Sequence, residues 1–233
     1  MREHKLTMQE VQDLVIADVA LTIAFAILFT FGGSFGVAKG SYAFVYYLPI
    51  AFVAVTFSFV LHEYMHKMVA EHFGAIAAFR RSDTGIIIAL LTSMFGFLMA
   101  MPGATVIYTN TFTKKEEGYV SLAGPLTNFV IFGAVFVISL FSNTGNTYIQ
   151  TAISVIMFIS LWLAFVNMLP IYPLDGSKVL RWNKGVYAVV LITVIALMVL
   201  LIPSTALIFD VVIVLILSLV MSFMSRNILF RRW

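Results

Sequence analysis

The sequence predicts an all-α polytopic membrane protein, with six transmembrane helices and a re-entrant membrane-embedded β-sheet or loop between helices 2 and 3. Three observations carry that expectation. Of the 233 residues, 61% are hydrophobic and only 11% charged, against roughly 25% charged residues in a soluble domain. Apolar runs of spanning length recur along the chain. And its Lys and Arg residues sort to one side of the resulting topology.

Taken in order, the runs lie at about 15–38, 43–71, 119–141, 148–170, 185–203 and 205–225. The first is too long for the apolar core of a signal peptide and lacks a small-residue cleavage site, so it is expected to stay in place. A seventh stretch, "GIIIALLTSMFGFLMAMPGATVIYTN" (85–110), is broken by Gly85, Gly96, Pro102 and Gly103 and carries β-branched clusters at both ends. With six spans and a cytoplasmic N-terminus, 13 of the 14 Lys and Arg fall inside and only Lys39 outside. If 85–108 also crossed, every later loop would flip, leaving 5 inside and 9 outside. Positive residues concentrate on the cytoplasmic side, so residues 74–113 are expected to enter and leave on that side. Non-helical backbone at that depth must be buried in protein or line a wet cavity, which implies a water-accessible hollow in the cytoplasmic half. "AIAAF" (75–79) and "GIIIAL" (85–90) are the expected strands.

The whole of 1–233 reads as a single transmembrane domain, without linker, repeat or low-complexity tract. The basic C-terminus, "RNILFRRW", suits an inner-leaflet lipid anchor rather than a nucleic-acid site. Zero cysteines exclude disulfides and thiolate metal ligands.

Against this background "HEYMH" (62–66) is anomalous, because ionisable side chains at membrane depth are expensive and mark function. His62 and His66 are spaced i, i+4, which on a helix places two imidazoles on one face, one turn apart. That pair can share one Zn2+ ion, with Glu63 flanking it as a general base. Zinc needs a third protein ligand and leaves one position open. On an unbroken helix His72 points about 240° and Glu71 about 140° away from His66. Asp18 and Asp210 fall near span ends, where a carboxylate is cheap. Asp175 differs: in "NMLPIYPLDGSKVL", Pro170 and Pro173 interrupt the fourth span and Gly176 follows at once, opening a polar pocket at the depth of His62. A His62, His66, Asp175 site follows by elimination.

The pairing of His62-Glu63-Tyr64-Met65-His66 with Asn167-x-x-Pro170-x-x-Pro173-Leu174-Asp175-Gly176 resembles the site-2 protease family of intramembrane zinc metalloproteases, over roughly residues 50–182. "AGPLTN" (123–128) is similar to a further element of that family. Ser177 stands where many relatives carry a second glycine. The resemblance implies one zinc held by His62, His66 and Asp175, Glu63 as catalytic base, Asn128 and Asn167 near the substrate, and a minimal form without PDZ or CBS module. It implies transmembrane, membrane-tethered protein substrates and a multi-pass protein of a prokaryotic cell membrane, with both termini cytoplasmic and the site on that side. Two rival classes use the same residues: a metal or proton transporter, and a non-catalytic binder of membrane helices. Oligomeric state and gating are not legible.

Overall fold

The computed structural model describes residues 6–32, 42–99, 101–108, 111–142 and 145–201. Among them four helices are long and apolar enough to cross a membrane: Met8–Phe31, Ala43–His72, Lys114–Phe141 and Thr147–Asn167. The fifth expected run forms a shorter apolar helix, and 205–225 lies outside the described residues together with Asp210 and the basic C-terminus.

Helix α1 (Met8–Gly32) opens with a reciprocal cap, in which Thr7 N–H donates to Glu10 and Glu10 N–H to the Thr7 hydroxyl. The second span comprises α2 (Ala43–Val55), one π-helical turn (Thr56–Val60) and α3 (Leu61–His72). Single π turns inside helices gather at functional sites, and this one ends at Val60, two positions before His62. Its polar residues brace it: Ser58 bonds Ser160 at 2.8 Å, and Thr56 donates to Asp18 at 2.9 Å. Asp18 is therefore no interfacial residue, as its place in the sequence suggests, but a buried anchor joining α1 to the π turn.

Between the second and third long helices come β1 (Ile76–Arg81), α4 (Asp83–Met94) and β2 (Gly103–Tyr108). "AIAAF" supplies β1, but "GIIIAL" is helical. Ser82 caps that helix by accepting from Gly85 N–H, and Asp83 adds negative charge to its first turn. That local start outweighs the β preference of three isoleucines, which depends on context. The partner strand is "GATVIY", paired antiparallel with β1 from Ile76 opposite Tyr108 to Arg81 opposite Gly103. Ser82 N–H donates to Pro102 O, so the bonded pairs of the ladder are Arg80/Ala104 and Ala78/Val106. Gly103, Thr105 and Ile107 therefore turn their backbone groups away from β1, toward the edge that pairs with no other strand among the described residues.

Helix α5 (Lys114–Phe141) starts from a capping box of Thr113 and Glu116. Helix α6 (Thr147–Asn167) ends three residues before Pro170; α7 (Asp175–Trp182) and α8 (Lys184–Leu201) follow. The main core joins α1, α2, α6 and α8 through Phe25, Phe29, Tyr47, Ile159, Phe165 and Met198. The other side of the molecule packs α3, α5 and α7 together, with the β-hairpin against α3 and α1. Buried Lys67 of α3 ties to Glu10 at 2.6 Å and to Glu71 at 3.5 Å, and Asp13 faces Arg80 and Arg81. The first turns of α1 thus hold both α3 and β1 in place.

Candidate metal centre

Three acceptor atoms converge where α3, α5 and α7 meet. His62 Nε2 and His66 Nε2 lie 3.0 Å apart, and Asp175 Oδ2 lies 3.0 Å from His66 Nε2 and 3.5 Å from His62 Nε2. All three side chains are buried. Ligand atoms about 2.0–2.1 Å from one tetrahedral ion lie about 3.3 Å apart, so this triangle has the edges of a zinc site. Glu63 also brings a carboxylate oxygen within 4.8 Å of both histidines. Its Oε2, however, is held by Thr105, while Asp175 sits at contact distance from both rings.

Each of these side chains has a local reason for its place. Helical pitch sets the two imidazoles one above the other, and His66 is fixed by Nδ1–H donating to Val120 O of α5 at 2.7 Å. A proton on Nδ1 leaves the Nε2 lone pair facing the Asp175 oxygen. Two lone pairs at 3.0 Å repel unless a proton or a metal cation lies between them. Asp175 opens α7, where the helix dipole favours a carboxylate. Burial by itself raises the Asp175 carboxyl, but the facing imidazoles outweigh it and hold the group well below the usual carboxylate range. Gly176 allows the approach: a Cβ there would fall 2.1 Å from Met168 O, so the turn after α6 closes directly onto α7.

Gly124 of "AGPLTN" supplies the floor. A Cβ on it would lie 2.4 Å from His66 Nε2 and 2.5 Å from His62 Nε2, at the point where both lone pairs meet. The absence of a side chain leaves a cradle the size of one ion. Donor chemistry, triangle edges and cradle all fit a divalent metal of zinc's preference.

Thr105 of β2 was not singled out by the sequence. Its N–H and hydroxyl both donate to Glu63 Oε2 at 2.9 Å, and the hydroxyl also lies 3.1 Å from Glu63 O. One threonine thereby fastens the hairpin to the residue between the histidines. The signal available in sequence was a hydroxyl amid the β-branched alternation of "GATVIY". Of the two asparagines, Asn167 lines the adjacent cavity, with Nδ2 donating to Leu163 O. Asn128 is fully buried behind His62, with Nδ2 3.2 Å from His62 Nδ1 and its Oδ1 without a partner among the described residues. His72 is exposed against Phe73, away from the centre.

The cavity, about 90 Å³, opens beside the triangle. Its walls are Glu63, His66 and Asp175, the free edge of β2 at Gly103, Thr105 and Ile107, and Asn167, Pro173 and Lys178.

Among curated proteins, the chain is 40% identical over 142 residues to "Putative zinc metalloprotease MJ0611" of Methanocaldococcus jannaschii, covering 60% of this chain and 74% of that protein. It is 27% identical over 163 residues to "Putative zinc metalloprotease YwhC" of Bacillus subtilis, covering 59% of this chain and 72% of the relative. To "Zinc metalloprotease MJ0392" of Methanocaldococcus jannaschii it is 25% identical over 133 residues, spanning 57% of this chain and only 33% of that longer protein. No family model matches the chain, and no solved structure matches it. On the extent and identity of the first match, and in keeping with the site-2 protease resemblance of its motifs, the chain belongs to the family of these zinc metalloproteases.

Proposed function

We propose that this protein is an intramembrane zinc metalloprotease of the site-2 type, hydrolysing peptide bonds within or near the transmembrane segments of membrane-tethered proteins. The observation that carries the reading is the triangle of His62 Nε2, His66 Nε2 and Asp175 Oδ2 beside Glu63, buried among helices long and apolar enough to span a bilayer. One Zn2+ per chain is held by His62, His66 and Asp175.

Bound there, zinc supplies Lewis acidity that polarises the scissile carbonyl and makes water easier to deprotonate. Glu63 accepts the proton of the attacking water and returns it to the leaving amine. Thr105 holds Glu63 Oε2 on the cavity side of α3 during that exchange. Asn167, on the cavity wall, is placed to donate to the substrate backbone or to the developing oxyanion. A helical substrate must first unwind, which exposes backbone groups that lipid cannot satisfy. The free edge of β2 answers that need by strand addition, offering Gly103 and Ile107 along one wall of the cavity.

The roles separate experimentally. Glu63→Gln is expected to keep about one zinc per chain while cleavage of a transmembrane substrate falls by about 10²–10⁴. His66→Ala and Asp175→Ala are expected to lose both metal and cleavage. An active Glu63→Gln enzyme would remove Glu63 from the role of base.

A further inference from the structure

We infer that Asn128 is a positioning residue of the metal centre, holding His62 in ligating form by accepting its Nδ1–H through Oδ1. The inference rests on the zinc site proposed above and concerns the ring that α3 presents first.

For His62 Nε2 to offer a lone pair at the triangle, the neutral ring must carry its proton on Nδ1. That nitrogen is buried, and the polar group facing it is the Asn128 amide at 3.2 Å. An N–H at Nδ1 needs an acceptor there. Asn128 supplies one: its Oδ1 is buried and has no partner among the described residues. The two ends of a side-chain amide are nearly equal in size, and their assignment follows the hydrogen-bond network. Turning the amide by half a revolution brings Oδ1 to Nδ1–H and moves Nδ2 to the position that has no partner among the described residues. The opposite arrangement, Nδ2 donating to Nδ1, forces the His62 proton onto Nε2. It would then point at His66 Nε2 3.0 Å away and remove His62 from the donor set. His66 makes the same choice through Val120 O, which can only accept.

Both histidines are thus fixed from α5, one by a main-chain carbonyl and the other by the side chain two turns further on. Outer partners of this kind set ring orientation and raise ligand basicity, and their loss typically costs about 10–100-fold in metal affinity.

The test is zinc affinity of the full chain in detergent, read by competition with a chelator, with metal-free thermal melts as the check on folding. Asn128→Leu is expected to weaken zinc binding about 10–100-fold. Asn128→Asp, which accepts but cannot donate, is expected to bind as tightly as the wild type or more so. Because the acceptor variant preserves shape, it decides even where the leucine variant does not fold. An Asn128→Asp protein that folds yet binds zinc about 10–100-fold more weakly than the wild type overturns the inference, as does a leucine variant with wild-type affinity. A wild-type chain with no zinc affinity overturns the metal site and this role together, whereas failure of Asn128→Asp alone leaves the metal site standing.

Discussion

At the scale of single residues, the centre depends as much on a missing side chain as on those present. Gly124 sits inside α5, where alanine would ordinarily strengthen a helix by about 0.5–1 kcal/mol. Here the added methyl would press against both Nε2 atoms at once. Gly124→Ala is therefore expected to retain its helical circular dichroism while losing zinc at least about tenfold, measured as metal per chain after dialysis against a weak chelator. Retained zinc would show that the two rings can part without cost. Gly176 has the same logic turned toward backbone, because its close approach to Met168 O is what lets Asp175 reach the histidines. Legibility at this scale was uneven. His62, Glu63 and His66 are near neighbours in sequence, so their mutual placement follows from helical pitch alone. The Thr105–Glu63 contact spans 42 positions and the Asn128–His62 contact spans 66, and no local pattern announces either.

At the scale of elements, the hairpin is the part that the sequence described least well. Its first strand and its location were legible, because Gly and Pro break the apolar run and β-branched residues follow. The choice of second strand was not. "GIIIAL" and "GATVIY" carry similar β preference, and the cap at Ser82 together with the pairing partner decides between them. The resulting edge makes a sharp prediction. Ile107 turns its N–H outward, so Ile107→Pro removes a donor from the free edge without breaking a bond to β1, a position where edge strands tolerate proline. Cleavage of an unwound transmembrane substrate is expected to fall about tenfold, the worth of one backbone hydrogen bond. Val106→Pro, whose N–H lies in the ladder to Ala78, is expected to disrupt the hairpin itself. Equal cleavage by Ile107→Pro and wild type would rule out strand addition at this edge.

At the scale of the whole molecule, the large core and the metal centre draw on different helices and meet at Phe59 and Leu163, which belong to the core and line the cavity. Phenylalanines and leucines of α1, α2, α6 and α8 build the first, whereas α3, α5 and α7 meet at the second. Zinc in the proposed site would act as a bond between α3 and α7, elements far apart in the chain. A ligand that binds only the folded protein stabilises it by about 2.7 kcal/mol at a concentration one hundred times its Kd. For a chain of this size that corresponds to a rise in Tm of about 5–10 °C. The wild type is expected to show that rise on adding zinc and His66→Ala none; an unchanged wild-type melt would place the three donors apart in solution.

What the sequence alone determined was what short range and solvent set: apolar runs long enough to span a bilayer, two imidazoles one turn apart, and a proline-broken turn ahead of an aspartate. These follow from pitch and hydrophobicity, which any window of a few residues carries. Tertiary structure decided the rest. It brought Asp175 to the histidines, chose the strand whose threonine holds Glu63, buried Asp18 against the π turn and set Asn128 behind His62. Those outcomes rest on contacts between distant segments, where packing and the pairing of buried polar atoms select one partner from many chemically equivalent ones.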